Sequence, residues 1–222
     1  MTLDAVQPKT RAPGQTGAAE WDELFARAAV TAGKSLELMA GRPLDIRAGK
    51  AVAVPLGEVP ALAGSPEDPL TVVFVAVEGG AAGQALLCLR PEGAERLAAL
   101  LLGRSPAGSG QVHDFLGLSA LAEAGNVALS AFLNVVSDRT GRPLRPSVPV
   151  VVTDMAGAIL ASALVSGGNV EEEAIVVEAG FGSAAEGMEG FILYLPGPPP
   201  PAEHRGGRDR DEVELAGPSP RP

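Results

Sequence analysis

Cysteine and histidine are nearly missing from this sequence. Its 222 residues hold one cysteine, Cys88, and two histidines, His113 and His204. One cysteine excludes an internal disulfide and a four-cysteine zinc site, and it fits a reducing compartment. Two histidines leave no material for a histidine-rich metal centre. Basic residues are also in deficit, 17 Lys and Arg against 27 Asp and Glu, for a formal charge of −10. A chain so acidic offers phosphates no positive field, so nucleic acid is not an expected partner. No run approaches the roughly 20 apolar residues of a membrane-spanning helix. The opening Met1–Lys9 has no apolar signal-peptide core. The expectation is a soluble, cytoplasmic, acidic protein, long enough for one large domain or two small ones.

Proline and glycine are unevenly spread. Residues 197–222 contain seven prolines and only two large apolar residues, Val213 and Leu215. Such a segment buries too little surface to offset the entropy of ordering it, and reads as a disordered tail. Residues 1–17, with Pro8 and Pro13, read the same way. The N-terminal tail carries a net +1 and the C-terminal tail a net −1, so the charge of −10 belongs to residues 18–196.

Within that stretch the chain repeats itself. Gly41-Arg42-Pro43-Leu44 returns as Gly141-Arg142-Pro143-Leu144, and at the same offset Glu23 falls on Glu123, Ala28 on Ala128 and Val52 on Val152. Each copy opens with a long helical pattern that stops at the Gly-Arg-Pro-Leu turn, as Gly followed by Pro should stop it. The first helix spans about 19–40, with Trp21, Leu24, Phe25, Ala28, Ala32, Leu36 and Met39 on one side. Strands are expected at 50–55, 71–77 and 83–90, with a Pro-rich loop from Gly57 to Pro69 and a second helix from Pro91 to Leu102. The second copy gives a helix at about 112–139 and strands near 149–154, 158–165, 173–180 and 188–195. The expected fold is α+β: two pseudo-symmetric halves, about 18–104 and 112–196, sharing a central, mostly antiparallel sheet with two long helices on one side.

The helix at 112–139 has two faces. Leu118, Leu121, Ala122, Gly125, Leu129, Phe132, Leu133 and Val136 follow the spacing of a core stripe. Ser119, Glu123, Asn126 and Ser130 line up on the opposite, solvent side. By periodicity alone that second face is ordinary polar surface. Asn126 argues otherwise, because an amide in mid-helix competes for local backbone bonds and beside Gly125 lowers helix propensity by up to about 1 kcal/mol. Ser119-x3-Glu123-x2-Asn126-x22-Pro149 resembles, with every spacing intact, the signature of the CheC/CheX/FliY phosphatases of bacterial chemotaxis. The segments Glu123–Val127, Leu133–Asp138, Pro146–Pro149 and Asp154–Leu160 are similar to CheC sequences, and the likeness spans roughly 18–196.

The resemblance implies a phosphatase that stimulates hydrolysis of the aspartyl phosphate of phosphorylated CheY. Asn126 would align the attacking water and Glu123 would engage the regulator's active-site lysine. Ser119 would give local support, and Pro149 would fix the start of the following strand. No cofactor of its own is implied, since the phosphorylated partner supplies Mg²⁺ and the anhydride. An amide with both donor and acceptor groups suits phosphoryl transfer, where positioning is most of the catalysis. Family members often carry the signature twice. Here the first-copy equivalents are Ala19, Glu23, Ala26 and Gly49, which implies a degenerate first site and one active centre.

Other candidates have plainer readings. Gly103–Gly110 and Gly180–Gly187 lack phosphate-loop spacing and its lysine. Glu171–Glu173 is a solvated loop entering a strand, Cys88 a buried strand thiol, and His113-Asp114 a helix-capping pair. Two further roles stay open under the resemblance. One is a weakly catalytic or non-catalytic partner of the receptor deamidase CheD, with Asp154–Leu160 either part of that face or simply the next strand pair. The other, a FliY-like flagellar-switch component, would need an added assembly domain that a 26-residue tail cannot provide.

Overall fold

A computed structural model describes residues 18–79, 83–105, 114–166, 173–181 and 188–196; both expected tails, His113, Glu171 and Glu172 lie outside these residues. The elements run α1 (Ala18–Ala40), β1 (Ile46–Pro55), a 3-10 segment (Leu56–Ala63), β2 (Pro69–Gly79), β3 (Gly83–Leu89), α2 (Pro91–Leu101), α3 (Phe115–Thr140), β4 (Leu144–Pro146), β5 (Val150–Met155), α4 (Ala156–Ser166), β6 (Glu173–Phe181) and β7 (Glu189–Pro196). The fold is α+β, and every strand pairing is antiparallel.

The seven strands form one sheet in the order β1-β6-β7-β3-β2-β4, with β5 also paired to β2. The early strand β1 pairs with the late strand β6 (Val52 opposite Val176), and the late strand β5 pairs with the early strand β2 (Val152 opposite Val72). Strands β3 and β7 meet in the middle.

α1, α2 and α3 cover one face, where Leu36, Leu97, Leu129, Phe132 and Leu133 are buried against Val75, Leu87 and Ile192. Phe25, Phe132 and Tyr194 form a ring cluster at its centre, with centroids 6.0 to 6.4 Å apart. The 3-10 segment and α4 cover the other face, closing Val59, Leu160 and Ala163 over Val72, Leu86, Cys88 and Leu193. Both long helices end on a left-handed glycine, Gly41 with φ 65° and Gly141 with φ 64°, a conformation open to glycine at little cost.

Several sequence expectations are corrected. Residues 158–165 are helix, not strand. Ala156, Ala158, Ala161 and Ala163 favour helix, and the amides of Ala156 and Gly157 donate to the carbonyls of Asp68 (2.9 Å) and Pro66 (2.8 Å), which satisfies the helix start. The expected loop after Gly57 begins as 3-10 helix, with Val59 buried in the second core. β4 was not anticipated. Its three residues pair with Val77–Gly79 of β2.

The core stripe of α3 is also shifted. Leu118 is exposed and Ala122 only half-buried, whereas Ala120, Ala124 and Ala128 are buried. Ala28 and Ala32 of α1 are fully buried in the same core, and Phe25 of α1 stacks on Phe132 of α3, so small and aromatic side chains share this core with the leucines. On α1, Met39 is half-buried and the Trp21 side chain lies outside the described residues. Of the described helices, α3 alone is long and apolar enough to cross a membrane by length and composition. Its apolar stripe is spent on α1 and the sheet.

Candidate functional site on the outer face of α3

The position of α3 is set at its start and its middle. Asp114 caps the helix by accepting from the Gly117 amide (2.5 Å), and its other oxygen takes the Arg104 guanidinium at 2.8 Å. These contacts, the amide first and the guanidinium second, hold its carboxyl below the usual value of 3.8. In mid-helix Gly125 is buried against β2, and a Cβ added there would overlap the Val73 side chain. The expected stripe residue Gly125 thus lets the helix lie flush on the sheet.

That seating turns the neighbouring residues outward. Glu123 and Ser119 are exposed; Asn126 and Ser130 are half-buried. The side chains of Glu123 and Asn126 bond to no other described residue, whereas the Ser119 hydroxyl donates to the Phe115 carbonyl at 2.8 Å. The signature's serine is occupied within the helix, while its carboxylate and amide face outward.

Pro149 is half-buried and sits between β4 and β5. Val151, two residues on, pairs with Val73, the residue beneath Gly125, so the strand that Pro149 enters lies beside the middle of α3. Sequence reasoning missed Ser147. Its amide donates to the Ala76 carbonyl (2.8 Å) and its hydroxyl accepts from the Ala76 amide (3.0 Å), so it carries the β2 ladder across the break between β4 and β5. The motif serine-x-proline was the only available signal, and the pairing partner could not be read from it.

Glu23 and Ala26 on α1 line an open pocket of about 350 Å³ together with Asp22 and Lys50. Lys50 was also missed. It stands on β1 at the offset of Val150, and with Ala26 in place of an amide this surface presents two carboxylates and an ammonium. Cys88 is fully buried on β3, and burial pushes its thiol well above the ordinary range, so it is not a nucleophile.

No model of a known protein family matches the chain. The chain is 32% identical to the CheY-P phosphatase CheC of Bacillus subtilis over 116 residues, which are 52% of this chain and 56% of CheC. The match therefore spans little more than half of that relative's length. Among solved structures, FliY of Thermotoga maritima superposes with a TM-score of 0.64 at 18% identity, covering 84% of this chain and 92% of FliY. CheX in its CheX–CheY–BeF3–Mg complex from Borrelia burgdorferi gives 0.52 at 18% identity, covering 79% and 97%. The fold is that of FliY and CheX. In sequence, the resemblance to the CheC/CheX/FliY family falls on CheC.

Proposed function

We propose that the chain hydrolyses the aspartyl phosphate of a phosphorylated response regulator of the CheY kind through one site on α3. The observation that supports this most is the outward pair Glu123 and Asn126, three residues apart on a helix locked to the sheet, neither engaged by the rest of the described protein. A carboxylate and an amide contain no nucleophile, but this reaction needs none from the enzyme. Water attacks phosphorus in line, the bond to the acyl oxygen breaks, and the products are the regulator's carboxylate and inorganic phosphate. Asn126, as donor and acceptor, holds the water in line, and Glu123 pairs with the regulator's lysine to set the register. Mg²⁺ and the anhydride both arrive on the regulator. The bilobal organisation inferred from sequence, with a degenerate first site at Glu23 and Ala26, goes with this reading and leaves a single centre.

The test is phosphate release from CheY charged with acetyl phosphate. Wild-type chain is expected to accelerate it, and Asn126→Ala to abolish the acceleration while binding stays measurable. An Asn126→Ala variant as fast as wild type would refute the mechanism. A second reading, a binding partner of the deamidase CheD, is favoured by the exposed end of β5, where Asp154 and Met155 stand in solvent (Met155 51% exposed). If CheY phosphate release is unchanged with and without CheD present, the binding role replaces the catalytic one.

A further inference from the structure

Phe115, Leu116 and Leu118 are 82%, 52% and 39% exposed. Apolar residues scattered singly over a surface need no explanation, but three in the first turn of one helix form a patch. On a helix advancing 100° per residue, Phe115 lies within about 20° of Asn126 and Leu116 within about 20° of Glu123. Each apolar residue thus stands in line with one of the two proposed site residues, about 16 Å and about 10 Å along the axis. We propose that Phe115 and Leu116 are the apolar anchor that holds the phosphorylated regulator on α3. The inference rests on the phosphatase reading and adds what selects the substrate.

Interface size supports a protein as occupant. A stable protein interface buries about 800 Å² per partner, a disc of about 16 Å radius. Such a disc centred between Glu123 and Asn126 takes in Phe115 and Leu116, whereas a small acyl phosphate bound at Asn126 would leave both bare. Charge argues against a second copy: two such faces would set Glu123 against Glu123 in a chain of net charge −10, whereas a regulator brings a lysine. The patch is also held in place beforehand. The Asp114 cap, the Arg104–Asp114 pair at 2.8 Å and the Ser119–Phe115 bond at 2.8 Å fix the turn that carries it, so little ordering remains at docking. Aromatic side chains are enriched in such contacts relative to the rest of a protein surface.

The experiment measures binding of CheY trapped with beryllofluoride and Mg²⁺, and steady-state hydrolysis of phosphorylated CheY, for wild type, Phe115→Ser, Leu116→Ser and the double variant. The double variant is expected to weaken binding and raise the half-saturating CheY concentration at least tenfold, with the rate at saturation within twofold of wild type. Leu38→Ser removes an equally bare residue of α1 (83% exposed) and is expected to change neither. Melting temperatures matching wild type would show that the variants fold. Unweakened binding by the double variant overturns the proposal. So does loss of a dimer in sedimentation with CheY binding intact, which would assign the patch to a second copy. If wild type binds trapped CheY without speeding hydrolysis, the catalytic reading fails alone, and the anchor still requires the double variant to bind more weakly. If wild type binds no trapped CheY at all, both fall.

Discussion

At the scale of single residues, Gly125 has the tightest constraint near the site. Adding one methyl at Gly125→Ala forces either Val73 or the helix to move, and overpacking of this kind costs about 1–3 kcal/mol. The expected result is a lowered denaturant midpoint with an unchanged slope, partly recovered in Gly125→Ala/Val73→Ala, where the smaller partner makes room. Unchanged midpoints would mean that α3 does not rest on β2 at this point. If the proposed phosphatase reading holds, stimulated CheY dephosphorylation is expected to fall in the single variant as well, because a lifted helix displaces Asn126, and displacements on the order of 1 Å are costly in a mechanism built on positioning. Cys88 provides a contrasting probe. With its thiol fully buried and its ionisation suppressed, it is expected to resist a disulfide reagent in the native protein and to react fully in denaturant. Native labelling at the denatured rate would contradict its place in the sheet.

At the scale of elements, the start of α3 carries a pH dependence. The carboxyl of Asp114 is held below 3.8 by the Gly117 amide and the Arg104 guanidinium. A lowered folded-state value means that this contribution is present in full above the unfolded value and is lost as pH falls through the folded one. Asp114→Ala is therefore expected to melt below wild type at neutral pH, with the two melting temperatures converging below about pH 4. A constant gap across that range would show that the cap does not act through charge. Much of this level was legible beforehand. Helices α1, α2 and α3 announced themselves by apolar spacing closed by Gly41, Gly103 and Gly141, and Asp114 by its place before the stripe. α4 was not legible, because Ile159-Leu160-Ala161-Ser162-Ala163-Leu164-Val165 is apolar almost all round and such a run suits helix or strand. The helix start is satisfied by carbonyls of Pro66 and Asp68, 91 and 88 residues away in the chain from Gly157 and Ala156. Leu118 was misplaced for a related reason: spacing marks an apolar face but cannot tell where along the helix that face leaves the core, and Leu118 lies in the first turn, 39% exposed. Lys50 joined Glu23 only once β1 was laid against α1.

At the scale of the whole molecule, the edges of the sheet are exchanged. β1 belongs to the N-terminal stretch but pairs with β6, and β5 belongs to the C-terminal stretch but pairs with β2. Separate fragments 18–104 and 114–196 each lack a paired edge, so neither is expected to unfold cooperatively alone, and mixing them is expected to restore one sharp transition. Two independent transitions from the separate fragments would contradict the exchange. The same arrangement governs how the protein comes into being. β1 leaves the ribosome as a strand, apolar in its second half, whose partner ends at Phe181, and at translation speeds of 5–20 residues per second that partner arrives on the order of ten seconds later. For that interval the nascent chain displays an open strand edge backed by Val52 and Val54, the kind of surface that pairs with other chains. Slow synthesis and crowded expression should therefore reduce yield through aggregation of N-terminal intermediates, with the finished fold itself unaffected.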